Sequence, residues 1–414
     1  MEQTQNLHHY LVGGYVRDHL LELEPHDRDY VVMGETSSSM LSRGFIQVGK
    51  DFPVFLHPET RDEYALARTE KKNGQGSSAF DCDLDNVSLE EDLARRDLTI
   101  NAMALMSDQS IIDPFDGQSD LKKRCLRHTT KAFAEDPLRV LRVARFLARF
   151  GPTWHIHPET ERLMRTIRDS GELTHLSADR IWKETHKALQ EPYAHLYFET
   201  LKGFGVFPEL ESMIGIPQPP NHHPEGDVFT HALLSLERAV SLDHDTPTRF
   251  SALFHDIGKP ESYKCNGNLH GHEKTGVPLL IALCERLPVP KKYKELAIIT
   301  CEYHTHCHRI AEMKANRLFH FLVRGTDALR KPERFKQFID ACQCDAQGRG
   351  VTHRERPYPQ RNIANTYLTA LSGVDREGIV KKAMADGVKG VEIGLRIEMA
   401  YRRALRNVSM SSQR

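Results

Sequence analysis

The sequence predicts an α+β chain in which a mixed sheet comes first and every later element is helical. Over the first ~120 residues strand-like runs alternate with short helical ones, and from Thr129 the apolar spacing turns helical and stays so. Proline and glycine interrupt the helical part at "RFGPTWHIHPET" and "GIPQPPNHHPEGD". A third polar gap, "GRGVTHRERPYPQRN", sets off a last helical segment. Four parts are expected: a sheet head at 1–128, a helical neck at 129–216, a histidine-rich helical part at 217–350 and a helical tail at 351–414. A chain of 414 residues is long enough for several such cores.

In chain order, "DRDYVVMG", "FPVFLHP" and "DEYALART" read as strands, their apolar residues alternating or continuous. "TSSSMLSRGF" opens on capping residues and closes on glycine, as a short helix does. Between Glu70 and Glu90, "KKNGQGSSAFDCDLDNVS" is rich in turn-forming residues and reads as a mobile loop of the sheet domain. The stretch "AEDPLRVLRVARFLARF", Ala134–Phe150, reads as an amphipathic helix. At about 100° per residue, Arg139, Arg142, Arg145 and Arg149 share one row, with Asp136 opening it. Val140, Leu141, Ala144, Leu147 and Ala148 fall on the opposite face.

Composition narrows the class of protein. Apolar residues make up 39% and charged residues 27%, as in globular chains. The 56 basic and 57 acidic side chains leave a net charge of −1, which argues against a globally basic nucleic-acid binder. Basic residues nevertheless crowd the segment from Leu121 to Lys187, so a local basic face is expected. The eight cysteines include no CxxC pair, which suits reduced thiols in a reducing cytoplasm. No apolar run has the length of a membrane span, and "MEQTQNLHHY" lacks the basic and apolar regions of a signal peptide.

The chemistry begins with "LVGGYVRDHLLELEPHDRDYVV", Leu11–Val32. Alternation along a strand would turn Asp27 and Asp29 to one face, where two carboxylates repel unless a cation lies between them. Hard oxygen donors suit Mg²⁺. Gly13 and Gly14 allow backbone N–H groups to approach phosphate oxygens, and Arg17 can add a charge-assisted bond. Glu63 is a candidate third carboxylate.

With these residues the chain resembles the nucleotidyltransferase superfamily that includes DNA polymerase beta. "EEDLARRDLTINAMAL" (Glu90–Leu105), "DPFDG" and "AEDPLRVLRVARFLARF" extend the resemblance to bacterial class II CCA-adding enzymes. The resemblance implies a polymerase-beta-like head and template-free transfer from CTP and ATP to the acceptor end of tRNA, with Mg²⁺ on Asp27 and Asp29. It implies ribose recognition by Arg96 and Asp97, and base choice by protein side chains. Asp136 can accept from an exocyclic amine while Arg139 donates to the neighbouring ring nitrogen, a pattern shared by cytosine and adenine and reversed in uracil and guanine. Gly14, Arg17 and Arg142 complete the expected nucleotide-binding set, with Arg145 beside them. In "SADRIWKE", Arg180 and Glu184 are expected to brace the neck.

The second half carries "FTH" at Phe229–His231, "LFHDIGKP" with His255 and Asp256, and "CDAQGRG" with Asp345. Three separated helices supplying His, His-Asp and Asp resemble an HD phosphohydrolase domain. The resemblance implies metal-assisted phosphoester hydrolysis at His231, His255, Asp256 and Asp345, with a transition metal such as Ni²⁺. His270, His272, His304, His306 and His308 are expected along the same pocket without being assigned as ligands.

Two other readings compete. A poly(A) polymerase shares the head and neck, but "IQVGKDFPVFLHP" lacks the basic pair that family carries before Phe52, with Asp51 standing there instead, and an HD half is unexpected in that family. Alternatively the HD half is the enzyme and the head a degenerate RNA-binding module. Intact Asp27, Asp29, Asp136 and Arg139 speak against degeneracy. Arg402, Arg403 and Arg406, with the basic middle helices, are the expected tRNA-facing region. Neither an obligate protein partner nor a membrane is implied.

Overall fold

A computed structural model describes residues 3–25, 27–48, 54–72, 80–83 and 87–411. The chain divides into two compact units, Met1–Val206 and Phe207–Arg414. Residues 207–216, expected with the neck, thus belong with the second unit.

The strands of the first unit are β1 (His9–Val12), β2 (Asp29–Val32), β3 (Ile46–Val48), β4 (Val54–Leu56), β5 (Glu63–Leu66), β6 (Thr69–Lys72), β7 (Phe80–Asp83), β8 (Ala104–Leu105), β9 (Ile111–Ile112), and the two-residue β10 (Cys125–Leu126) and β11 (His155–Ile156), which pair with each other. Seven of them form one sheet in the order β3-β4-β5-β2-β1-β8-β9, and within it only the β2–β5 pair is parallel. Successive residues of β2 face opposite sides, so Val32 joins Met40, Phe45 and Phe55 in one core while Val31 joins Val12, Leu93 and Ala102 in another. With both faces covered, the "YVV" run of β2 is continuous rather than alternating. The parallel register sets Asp29 beside Glu63 at the open end of the sheet, on the face of Val31.

The expected loop between Glu70 and Glu90 is partly a hairpin. β6 and β7 pair antiparallel from Thr69↔Asp83 to Lys72↔Phe80. Residues flanking the Gly- and Ser-containing stretch thus pair with each other. Residues 73–79 and 84–86, like Asp51, lie outside the described part.

The helices of this unit are α1 (Gly14–Leu20), α2 (Ser37–Ser42), α3 (Leu89–Ala94), α4 (Gly117–Lys123), α5 (Leu138–Phe150), α6 (Pro158–Asp169), α7 (Ala178–Gln190) and α8 (Ala194–Thr200). Thr36 caps α2 as the sequence suggested, its hydroxyl accepting from Ser39 N. α5 buries Val140, Leu141, Ala144 and Ala148 and packs against α7 and α8.

The longer elements of the second unit are α-helices: α9 (Pro208–Glu211), α10 (Val228–Ser241), α11 (Thr246–Phe254), α12 (Lys259–Asn266), α13 (His272–Arg286), α14 (Lys291–His308), α15 (Ala315–Phe319), α16 (Pro332–Gln347), α17 (Val351–Arg354), α18 (Gln360–Ser372), α19 (Arg376–Ala385) and α20 (Val391–Ser411). α10, α11, α14 and α16 pack against one another around buried Phe250, Phe254, Leu296 and Phe338. α18 and α20 add Tyr367, Leu371, Tyr401 and Leu405 to the core that holds Leu296 and Phe338. No helix among the described residues is long and apolar enough to cross a membrane.

Candidate active sites

A cavity of about 510 Å³ in the first unit gathers Gly13, Gly14, Arg17, Asp29, Arg96 and Asp97 from the head with Asp136, Arg139 and Arg142 from around α5. Eight arginines and three aspartates line it, a surplus of positive charge suited to a polyanionic ligand.

Local chemistry fixes each wall. Gly13 has φ +72°, and a Cβ there would stand 2.9 Å from Arg96 Nη1, so only glycine lets that guanidinium lie against the turn. Asp92, fully buried at the end of the arginine pair, accepts from Arg95 Nη2 (2.7 Å) and Arg96 Nη2 (3.2 Å) and orients both. Arg17 is already engaged: it grips Asp18 bidentately (2.9 and 3.0 Å), donates to Asn101 Oδ1 (2.6 Å) and lies 5.1 Å over the Phe146 ring. Its remaining N–H groups are what a phosphate could use.

Asp29 and Glu63 are neighbours across β2 and β5. Burial, then Glu63, and more weakly Asp27, raise the pKa of Asp29, while Arg96 opposes them. Adjacent carboxylates that resist ionising together are a donor set for a hard divalent cation, so these residues fit Mg²⁺. Asp27 is exposed and precedes β2 instead of lying on it, because the strand begins at Asp29.

The arginine row of α5 is mostly spoken for. Arg142 Nε donates to buried Asp97 (2.7 Å), Arg145 Nε to Glu184 (2.7 Å), and Arg149 Nη2 to Asp18 (3.0 Å). Burial would raise Asp97, but Arg142, the Asn101 amide and Arg139 outweigh it and hold its carboxyl far below the usual range. Glu184 therefore sits under α5, in line with its expected bracing position, whereas Arg180 reaches the cavity and donates to Asp136 Oδ2 (2.8 Å).

Asp136 differs from the helical-wheel picture. Its backbone is extended, φ −116° and ψ 103°, because the following Pro137 disfavours the helical region, and α5 starts only at Leu138. Its Oδ1 accepts from Leu138 N (3.0 Å). The Arg139 guanidinium donates to the carbonyls of Ala132 (2.8 Å) and Arg95 (2.5 Å), its backbone N–H donates to the Asp136 carbonyl (3.0 Å), and both residues line one cavity. Asp18, Arg95, Asn101 and Phe146 were not singled out from the sequence. "VRD" and "RRD" held Asp18 and Arg95 in plain view, but nothing in spacing marked Asn101 or Phe146.

In the second unit His231 on α10, His255 and Asp256 just after α11, and Asp345 on α16 meet as the motif implied. His231 Nε2 lies 3.1 Å from Asp345 Oδ1, and His255 Nε2 lies 3.1 Å from Asp256 Oδ2. The Ala252 carbonyl accepts from His255 Nδ1 (2.8 Å), so His255 Nε2 faces inward as a bare lone pair, while His231 pairs through Nε2 with Asp345 and has Glu225 Oε1 2.8 Å from its Nδ1. His255 Nε2 and both oxygens of Asp256 are buried without a hydrogen bond of good geometry among the described residues. Orphaned nitrogen and carboxylate donors converging in this way fit a transition-metal ion. Burial would raise Asp345, but His308, His255 and Arg349 hold it well below the carboxylate range.

His272, His304 and His308 also reach this cluster, which individual histidines in a sequence do not reveal. His308 Nε2 lies 2.6 Å from Asp345 Oδ2, and its Nδ1 meets Tyr358 Oη at 3.0 Å. His270 and His306 instead line an adjoining cavity of about 970 Å³, together with Lys259, Arg309, Arg317 and Arg349.

A "Poly A polymerase head domain" family model matches residues 9–127, "Probable RNA and SrmB- binding site of polymerase A" matches 154–214, and "HD domain" matches 228–345. The "Multifunctional CCA protein" of Hahella chejuensis is 47% identical over 94% of this chain and 92% of its own length. That of Teredinibacter turnerae is 48% identical over 97% of both. Among solved structures, "The structure of CCA-adding enzyme apo form II" superposes with a TM-score of 0.65 at 19% identity over 99% of this chain and 92% of that one. The Bacillus stearothermophilus CCA-adding enzyme in complex with CTP gives 0.63 at 19% over 98% and 91%. At such identities the structural likeness speaks for the fold.

Proposed function

The chain belongs to the family of multifunctional CCA proteins, a family of nucleotidyltransferases with an HD domain, and we propose that it adds C, C and A to the 3′ end of tRNA without a nucleic-acid template. CTP and ATP are the donors and pyrophosphate leaves. The terminal 3′-hydroxyl attacks the α-phosphate. Asp27 and Asp29 hold Mg²⁺, with Glu63 beside them, and two such ions in the bound state supply hydroxyl activation and charge neutralisation. tRNA maturation puts this work in the cytoplasm.

In this reading Arg96 and Asp97 meet the ribose, and the arginines of the cavity take the triphosphate. Asp136 keeps lone pairs beyond those used by Leu138 N and Arg180, so it can accept from the N4 or N6 amine. Arg139 donates to cytosine N3 or adenine N1. Uracil or guanine would leave both groups unpaired, at about a kcal/mol or more each. The observation that carries this reading is one cavity lined by Asp29, Arg96, Asp136 and Arg139 together.

The HD cluster hydrolyses phosphomonoesters and 2′,3′-cyclic phosphates, with a bound transition metal supplying Lewis acidity. His231, His255, Asp256 and Asp345 hold the ion, and Lys259 and Arg349 stand ready for the phosphate. What supports this is the convergence of His231 and Asp345 with the buried, unpartnered His255 Nε2 and Asp256 oxygens.

Supplying purified protein with each NTP separately, on tRNA lacking its terminus, tests the assignment. Incorporation of C, C and then one A is expected. Long A-tails made without CTP would mean a poly(A) polymerase instead.

A further inference from the structure

The HD cluster is larger than one ion needs, and we propose that it binds two divalent transition-metal ions, the second held by Asp256 Oδ1, His272 Nε2 and His304 Nε2. This rests on the reading of His231, His255, Asp256 and Asp345 as a metal site, and adds a position to it.

The two oxygens of Asp256 face different groups. Oδ2 lies toward Lys259 Nζ (2.5 Å), His255 (3.1 Å) and His231 (3.8 Å), and Oδ1 toward His272 (3.2 Å) and His304 (3.5 Å). A carboxylate so divided can bridge two cations.

Tautomers then decide what the second group of atoms can do. His272 Nδ1 donates to the Leu269 carbonyl (2.8 Å), and His304 Nδ1 to those of Thr300 (3.0 Å) and Cys301 (3.1 Å). A neutral imidazole whose Nδ1 carries the proton presents Nε2 as a lone pair. The two Nε2 atoms face each other at 3.2 Å, so two acceptors and a carboxylate oxygen converge with no donor among them. Such a triangle is repulsive until a cation enters it.

The spacing fits an ion. With metal–nitrogen and metal–oxygen bonds of about 2.1 Å, ligand atoms stand about 3.0 Å apart at a right angle and about 3.4 Å at the tetrahedral angle. The edges here are 3.2, 3.2 and 3.5 Å. All three side chains are buried, His272 at 7%, His304 at 3% and Asp256 at 1% exposure, so water is a poor substitute.

The backbone is built to bring α13 this close. A Cβ on Gly258 would lie 2.1 Å from the His272 carbonyl and 2.4 Å from Gly276 N. Glycine at 258 and 276 lets the start of α13 rest directly on the turn that carries Asp256.

The test uses full-length, tag-free protein carrying Asp27→Ala and Asp29→Ala, which removes both carboxylates proposed to hold metal in the head. After stripping with a chelator and dialysis against Ni²⁺, elemental analysis should find two ions per chain, falling to one when His272→Ala or His304→Ala is added. One ion in the parent, or two retained in both variants, overturns the proposal. No bound ion at all would overturn the underlying metal-site reading instead. Loading the parent with Mn²⁺ gives a second readout that needs no change in the cluster, should those variants fail to fold. Electron paramagnetic resonance should show a spin-coupled pair, and isolated six-line Mn²⁺ alone would overturn the second position.

Discussion

Arg180 Nη2 donates to Asp136 Oδ2 at 2.8 Å, joining residues 44 apart in sequence across the mouth of the first cavity. That bond orients the carboxylate proposed to read the base. Arg180→Ala should therefore lower discrimination against UTP and GTP by about tenfold, the equivalent of roughly 1.4 kcal/mol, and change triphosphate affinity less. Asp136→Ala should relax it further. Misincorporation ratios for the four NTPs measure this, and unchanged ratios in both variants would remove Asp136 from base choice.

Asp29 lies beside Glu63 and near Asp27, and their mutual repulsion is what a cation relieves. Asp29→Ala should cut nucleotide incorporation on the order of a thousandfold, since metal stabilisation of the transition state is worth several kcal/mol. Phosphoester hydrolysis by the same protein should stay at the parental level. A single-turnover assay with CTP and a phosphatase assay on one preparation separate the two.

Conversely, His255→Ala or Asp256→Ala should abolish phosphate release from p-nitrophenyl phosphate and leave CCA addition near the parental rate. Loss of both activities together would contradict independent sites.

Gly13→Ala forces a β-carbon into a left-handed backbone position, at a cost of roughly 1–2 kcal/mol, and pushes it against Arg96 Nη1. Lower thermal stability and slower incorporation are expected together. Arg96→Ala in the Gly13→Ala background should add little further loss of incorporation, because the guanidinium is already displaced.

Asp97 sets a pH dependence. Its folded pKa is depressed, so the unfolded chain holds that proton more tightly in acid. The stability it contributes is complete above its unfolded value of about 3.9 and is lost as pH falls from there toward the folded value. Urea midpoints at successively lower pH should fall more steeply for the parent than for Asp97→Asn, although that variant starts lower because Arg142 loses its counter-charge.

Local signals carried much of this molecule. The strands at "DYVV", "VFL" and "EYAL", the capped helix after Thr36 and the Pro-Gly interruptions are short-range consequences of residue type. Ordered motifs also marked Asp29, Arg96, Asp136 and Arg139 before any fold was known, and they line one cavity. Periodicity failed where a neighbour overrode it. Pro137 held Asp136 out of α5, and the turn residues after Lys72 concealed a paired hairpin.

By itself, then, the sequence determined the order of sheet and helices, the glycine turn and the acidic and histidine motifs, because each follows from the backbone preference or chemistry of adjacent residues. Only tertiary packing decided which arginines of α5 are neutralised by Asp18, Asp97 and Glu184, and which histidines share a centre. His231 and Asp345 are 114 residues apart, and His272 and His304 are 32 apart. Helices that bury apolar faces against each other bring such pairs within 3.2 Å, and no local pattern encodes where those faces meet.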